Sequence, residues 1–425
     1  MSEKQKLTQS TVDRLAQELV ELVEMFRKGG PASDLKWWGG ETPHTIFDSY
    51  PAYNSGRKIF DAAVRDLLRL NPDMLSKLDV EWRLTYEFLE RCAVHPEQLG
   101  GKELMNKARN YLNELVEFEN WQEIGFPIMN LLLEGKPVKL GYVTFTAKKQ
   151  DINQWRRDYA ARLQGIADIH VIARVNAPGD LEKAASHART QLSSALNVLR
   201  MLQFRFSPFT DSSRVGVVGE IPFSGSTPVR MNQKQIITQF RGSGFYQQPE
   251  LRKLVSKELK RRQWRLINKL LLKPEGSRNH MENKLLDGIH WLGEAAKPDT
   301  NRARFVKISI ALETLAGGEP KDEELKVRGI TAMLAERAAF IVGKDLADRQ
   351  QIDKDTRTHY RTRSEIVHGD RRDVPLSDVD NFAELARRVA LALLEKLDKL
   401  GDELSTVGKL ETWVRNQRYT LPRQS

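Results

Sequence analysis

The segment HYRTRSEIVHGD, His359 to Asp370, gathers residue types that move protons and hold anions. His368 offers an imidazole that titrates near neutral pH, and Arg361 and Arg363 offer planar donor forks that never lose their charge. Ser364 adds a hydroxyl for an imidazole or an anionic oxygen; its plain structural role is that of a small residue at a tight helix contact. An Arg five positions ahead of a His is by itself a weak signal in a chain with eight histidines. Helix geometry sharpens the problem. At about 100° per residue, Arg363 and His368 stand roughly 140° apart around a straight helix and do not share a face. Three arrangements would join them: a helix that ends or bends before Gly369, an Arg side chain that wraps around, or a second subunit that completes the site. A continuous helix instead lines up Arg357, Arg361, Ser364 and His368 on one stripe, which makes Arg361 a rival of Arg363. Gly369 suits a C-terminal cap, with His368 in the last turn, where the helix dipole favours its protonated form and neighbouring Arg side chains oppose it.

Other residues carry two readings each. Tyr360 either stacks on a base or packs within a bundle, and packing is the simpler role. Glu313 interrupts the apolar run ISIALETLA, so its carboxylate lies at the surface or is buried against a cation such as Arg337 or Arg363. His290 and His359 read as structural or exposed. The single cysteine, Cys92, reads as a packed, inert thiol. The chain has no GxxxxGK[ST], GxGxxG or GxSxG, which disfavours P-loop, dinucleotide-binding and nucleophile-elbow chemistry. A metal route has no Cys cluster and no HExxH, and the DKD at Asp353 to Asp355 does not continue as a calcium loop.

The elements that must position these groups follow from pattern. With 425 residues, two or three domains are expected, and 40% hydrophobic and 29% charged residues describe a globular chain. The polar start MSEKQKLTQS and the lack of a long apolar run predict a cytoplasmic protein with no membrane partner. The reading is mainly α with a mixed α+β middle region. Residues 1–134 are expected to be helical, with Thr11, Leu15, Leu19, Leu22 and Phe26 on one stripe and aromatic loops at Trp37 to Gly40 and in SYPAYNSG. Residues 135–245 carry β-type runs (VKLGYVTFTA, IHVIARVNA, RVGVVGEIPF, VRMNQKQIITQF) around the helix LEKAASHARTQLSSALNVLRML. Residues 246–425 open with LRKLVSKELKRRQWRLINKLLLK, read as one basic amphipathic helix. Lys253, Lys257, Lys260 and Arg261 form one face there, with Trp264 available for stacking. A net charge of +10 favours a polyanionic partner such as RNA, and a solvated helix face is the plain alternative. Five further helices, from MENKLLDGIHWLGEAA to SDVDNFAELARRVALALLEKLDKL, suggest an up-and-down bundle.

The stretch HYRTRSEIVHGD resembles the motif of Apea-like HEPN domains, in which an aromatic residue and an Arg-Ser pair precede an Ile-Val-His-Gly ending. The upstream segments HWLGEA, FVKISIALETLAGG and LAERAAFIVG occur in the order and spacing of that family, so the resemblance runs from about Met281 to about Leu400. It implies a C-terminal HEPN-type helical bundle that dimerises and cuts RNA without metal or cofactor. By that resemblance His368 transfers protons around the ribose 2′-hydroxyl and Arg363 steadies the phosphate. Ser364 assists, Arg361 is an auxiliary contact, and Glu313 is an orienting acid behind them. By analogy the protein is a toxin-like or antiphage defence effector of a prokaryote, with a trigger or neutralising partner. The alternative is a non-catalytic RNA-binding or dimerisation scaffold that keeps the fold.

Overall fold

The computed structural model describes residues 9–29, 54–93, 99–148, 152–153, 169–203, 215–217, 230–232, 235–237, 250–297, 300–318, 323–370 and 373–419. These are mainly helical, with a small antiparallel sheet, and no described helix is long and apolar enough to cross a membrane. The chain divides into two compact units, Met1–Ile124 with Asn176–Arg189, and Gly125–Val175 with Thr190–Ser425.

In the first unit, α1 (Gln9–Gly29), α2 (Asn54–Leu70), α3 (Lys77–Trp82), a π-helical turn (Arg83–Leu89), α4 (Glu90–Ala93) and α5 (Gly101–Glu117) follow one another. The stripe expected on α1 holds at Leu15, Leu19 and Leu22, all buried, whereas the side chain of Phe26 lies outside the described residues. These leucines join Phe60, Leu67, Leu84 and Leu112 in one core. Cys92 belongs to it, and burial pushes its thiol up, away from the reactive thiolate. Trp37 to Gly40 and the tyrosines of SYPAYNSG lie outside the described residues.

The strand-bearing middle of the chain differs from several expectations. A strand, β1 (Trp121–Met129), begins inside the region read as helical. The β-type run VKLGYVTFTA forms a hairpin, β2 (Val138–Leu140) against β3 (Val143–Thr146), with Leu140 opposite Val143. Gly141, at φ +60°, takes the first place of that two-residue loop, where hairpin twist demands a left-handed residue. With β4 (Ile169–Pro178) and β5 (Gly216–Val217) these strands form a sheet ordered β2-β3-β4-β1-β5. VRMNQKQIITQF likewise turns back on itself as β6 (Arg230–Asn232) and β7 (Gln235–Ile237). The Ala-rich helix forms as α6 (Leu181–Gln203).

The basic helix is the clearest departure. It breaks into α7 (Leu251–Glu258) and α8 (Arg261–Leu272), because Leu259 is extended (φ −124°, ψ 136°). Two buried groups account for this: Leu259 is 6% exposed, and Glu258 pairs with Arg387 at 3.1 Å. α8 restarts with the Gln263 side chain accepting from the Lys260 N–H at 3.0 Å. The single face expected for Lys253, Lys257, Lys260 and Arg261 is therefore split between two helices. Leu251 donates its N–H to Leu132 O at 2.9 Å, and Arg252 reaches Glu134 O at 3.2 Å. These bonds, with a further one from Arg252 to Lys136 O, tie the segment before β2 to α7.

The remaining helices are α9 (His280–Ala295), α10 (Asn301–Ala316), α11 (Glu323–Val342), α12 (Leu346–His368), α13 (Leu376–Leu400) and α14 (Val407–Tyr419). α9 packs on α10 and α11 on α12, with α13 against all four. α13 is the central pillar, burying Val379, Phe382, Ala386, Val389, Leu393 and Leu397 at three- and four-residue steps. α11 is interrupted at Gly329, whose φ of 78° and ψ of 162° are not helical.

His359 packs inside this bundle, its ring stacked on Phe382 at 4.6 Å and tilted against Phe305 at 6.0 Å. Burial lowers its affinity for a proton, outweighing Asp355 and Asp378. The folded chain then binds fewer protons there than the unfolded chain, so stability falls as pH drops through the imidazole's ordinary range of about 6.5 and below. Urea midpoints measured from pH 7.5 to 5.5 should fall more steeply for the wild type than for His359→Gln; parallel profiles would show that His359 takes up its proton without cost.

Candidate functional site

The site is organised by α12, and its ends are set by local chemistry. Asp345 caps the N-terminus by accepting the Asp348 N–H at 2.9 Å. Gly369 closes the C-terminus at φ +87°, donating to Ile366 O at 3.3 Å. A Cβ there would meet nothing within 4 Å, so glycine is required by backbone conformation and not by space. Arg302 on α10 donates to Ile366 O at 3.2 Å, holding the last turn of α12. Its neighbour Asn301 holds Val374 O at 3.0 Å, beyond the cap.

Between these ends α12 has two sides. Ile352, Thr356, Thr362 and Ile366 are buried. Arg357, Arg361, Ser364 and His368 are all exposed, which is the stripe expected of a continuous helix. Arg357 is occupied by Asp353 at 2.7 Å, whereas Arg361, Ser364 and His368 have no side-chain partner among the described residues. Seven residues separate Arg361 from His368, a rise of about 10 Å, with Ser364 between them. The three side chains therefore line one exposed face of α12.

Arg363 stands on the flank between the two sides. Its side chain is 31% exposed and its Nη2 lies 3.6 Å from Oε1 of Glu313 on α10, itself 32% exposed. The Tyr360 hydroxyl donates a short hydrogen bond to the same oxygen, and the guanidinium sits 5.8 Å from the Tyr360 ring centre. The Nε of Arg363 is buried without a hydrogen-bond partner among the described residues, an unmet donor within this group. Glu313 is thus set against Arg363; Arg337, the other cation weighed, is buried elsewhere on Ala316 O at 3.0 Å and near Glu411. Since α12 runs unbroken to His368 and Arg363 is turned toward Glu313, neither a bend nor a wrapped side chain joins Arg363 to His368 within one chain.

The other candidates are dispersed. Lys253, Lys257, Lys260 and Arg261 are exposed around the α7–α8 break, and Trp264 is half-buried on α8. His359 is structural, as its type suggested, and His290 accepts or donates a 2.9 Å bond with Asn197. Sequence reasoning overlooked Arg302, which gives no signal beyond its place just inside a helix start. Comparison with protein-family models, with curated proteins and with solved structures yields no match to this chain.

Burial first, and then the Glu313 carboxylate, push the Tyr360 hydroxyl well above the ordinary tyrosine range, against the opposing pull of Arg363. In a carbon-13 titration of labelled tyrosines, the Tyr360 ring signal, assigned by Tyr360→Phe, should stay in its protonated position through pH 11. Glu313→Ala should lower its titration while burial keeps it above the ordinary tyrosine range; ionisation of wild-type Tyr360 near pH 10 would remove the carboxylate-bonded hydroxyl from the site.

Proposed function

We propose that the chain is a HEPN-type endoribonuclease that cuts RNA by attack of the ribose 2′-hydroxyl. The observation that carries this reading is the exposed row of Arg361, Ser364 and His368 at the capped end of α12, with Arg363 held at its flank by Glu313 and Tyr360. The motif's resemblance to Apea-like HEPN domains supports the assignment independently of that geometry.

His368 accepts the 2′-hydroxyl proton as the O2′–phosphorus bond forms. The bond from phosphorus to the 5′ oxygen then breaks, and that oxygen takes up a proton. The products are a 2′,3′-cyclic phosphate and a 5′-hydroxyl end. Charge that builds on the non-bridging oxygens is met by guanidinium donors. Arg361 lies on the His368 stripe and reaches the phosphate from the same chain. Arg363 serves the same anion across a dimer in which two copies of α12 face one another. Ser364 donates to the phosphate or to the imidazole, and Glu313 keeps Arg363 from collapsing onto unrelated acceptors. Lys253, Lys257, Lys260 and Arg261 add strand-tracking charge. The resemblance extends the proposal to a homodimeric, toxin-like or antiphage defence effector of a prokaryotic cytoplasm.

Purified protein incubated with total RNA in EDTA should leave 5′-hydroxyl ends. His368→Ala should lower the rate by about 100-fold or more, and Arg361→Ala and Arg363→Ala by about tenfold or more each. Full activity in both arginine variants would refute the phosphate role of either. Binding without cutting by wild-type protein, unchanged in His368→Ala, would favour a non-catalytic scaffold. A further comparison concerns Glu313→Gln: it keeps an acceptor for Tyr360 but removes the charge facing Arg363, and should reduce cleavage less than Arg363→Ala while leaving RNA affinity within about fivefold, since a half-exposed pair contributes about 1 kcal/mol or less.

A further inference from the structure

On the second unit, the β2–β3 hairpin and α8 border an open cleft of about 820 Å³, lined by Lys139, Gly141, Trp264, Arg265, Asn268, Lys269, Leu272 and Lys273 and by no residue of α12. Its walls are fixed to one another. Gly141 donates its N–H to Asn268 Oδ1 at 2.9 Å, Asn268 in turn donates to Trp264 O at 3.0 Å, and the Tyr142 hydroxyl donates to Leu272 O at 2.9 Å. A Cβ on Gly141 would come within 2.9 Å of the Leu271 Cβ, so the hairpin turn rests directly on the helix. The cleft is therefore built by close backbone approach and is in place before any ligand arrives.

Its chemistry has two parts. Trp264, half-buried, and Leu272, 39% exposed, supply an apolar surface that water covers poorly. Around it stand four cations. Lys273 is occupied by Glu282 at 2.6 Å. Lys139, Arg265 and Lys269 are exposed and have no carboxylate partner among the described residues. An aromatic platform ringed by unneutralised cations matches a planar base joined to a phosphate: the ring stacks on the indole and the anion meets the ammonium and guanidinium groups. The volume lies within the usual range for small-ligand sites, roughly 300–1,000 Å³.

We propose that this cleft binds one nucleotide unit, with the base on Trp264 and the phosphate on Lys139, Arg265 and Lys269. The site stands apart from the cleavage chemistry proposed for α12 and does not depend on it. The unit is supplied either by a free nucleotide or by one residue of a single strand, and both present the same base and phosphate.

The test measures binding to the full chain by calorimetry and fluorescence anisotropy. The probes are ATP, inorganic tripolyphosphate and a labelled 2′-O-methyl oligo(A) octamer, which has no free 2′-hydroxyl and cannot be cut. At least one of the two nucleotide probes should bind, and tripolyphosphate should bind at least about tenfold more weakly than ATP wherever ATP binds. Trp264→Ala and the pair Arg265→Ala with Lys269→Ala should each weaken binding by about tenfold or more. Trp264→Phe, which keeps an aromatic face, should retain most of the affinity and so guards against mere misfolding of the alanine variant. ATP binding as tightly as the octamer assigns a free nucleotide; octamer binding alone assigns a strand. The proposal is overturned if neither probe binds, if the cleft variants bind unchanged, or if tripolyphosphate equals ATP.

Discussion

The burial of Ile352, Thr356, Thr362 and Ile366 fixes the rotation of α12 about its axis, and the character of the candidate site follows from that rotation. Burying an isoleucine side chain is worth about 1.5–3 kcal/mol, whereas the half-exposed pair between Arg363 and Glu313 contributes about 1 kcal/mol or less. The apolar stripe therefore decides which way the helix faces, and the polar groups take the positions left to them. His368, Ser364 and Arg361 fall outward; Arg363 falls on the flank, where Glu313 and Tyr360 receive it. His359, one step along the buried side, becomes a packing residue between Phe305 and Phe382 although its ring is chemically the same as that of His368. Burial and exposure assign the two imidazoles opposite roles.

The end of α12 is determined as closely as its rotation. Gly369 stops the helix through its left-handed backbone, and Arg302 holds the Ile366 carbonyl from the neighbouring helix. His368 is thus the last residue of a capped helix and not part of a loop, the placement that the proposed proton transfer from a single ribose hydroxyl demands. The cleft between the β2–β3 hairpin and α8 shows a similar economy. Asn268 bonds both Gly141 and the Trp264 carbonyl, so one amide holds both walls.

Much of this was legible in the residue order, for identifiable reasons. The boundaries of α9, α10, α12 and α13 agree with the helical segments read from apolar spacing, because caps such as Asn279, Thr300 and Asp345 and stops such as Gly369 act locally. The outward row Arg357–Arg361–Ser364–His368 was equally accessible, since it requires only 3.6-residue periodicity. What escaped depends on contacts distant in sequence. Nothing around Leu259 signals a break; the partner that holds Glu258 is Arg387, more than a hundred residues later. The runs VKLGYVTFTA and VRMNQKQIITQF were legible as β-type, whereas their folding back as hairpins is set by pairing between strands, and β1 was hidden by the mixed polarity of WQEIGFPIM. Lys139 and Arg265 lie far apart in the chain, so their common cleft has no local signal at all.

The central claim is that the outward face of α12 uses the ribose hydroxyl of its substrate as the nucleophile. It is tested most directly by offering the protein, in the presence of chelator, an RNA strand and a DNA strand of the same sequence and analysing the ends. The account predicts that the RNA is cut to 2′,3′-cyclic phosphate and 5′-hydroxyl termini while the DNA stays intact. Cleavage of both strands, or RNA fragments that carry 5′-phosphates, would mean that water is the nucleophile and would contradict it.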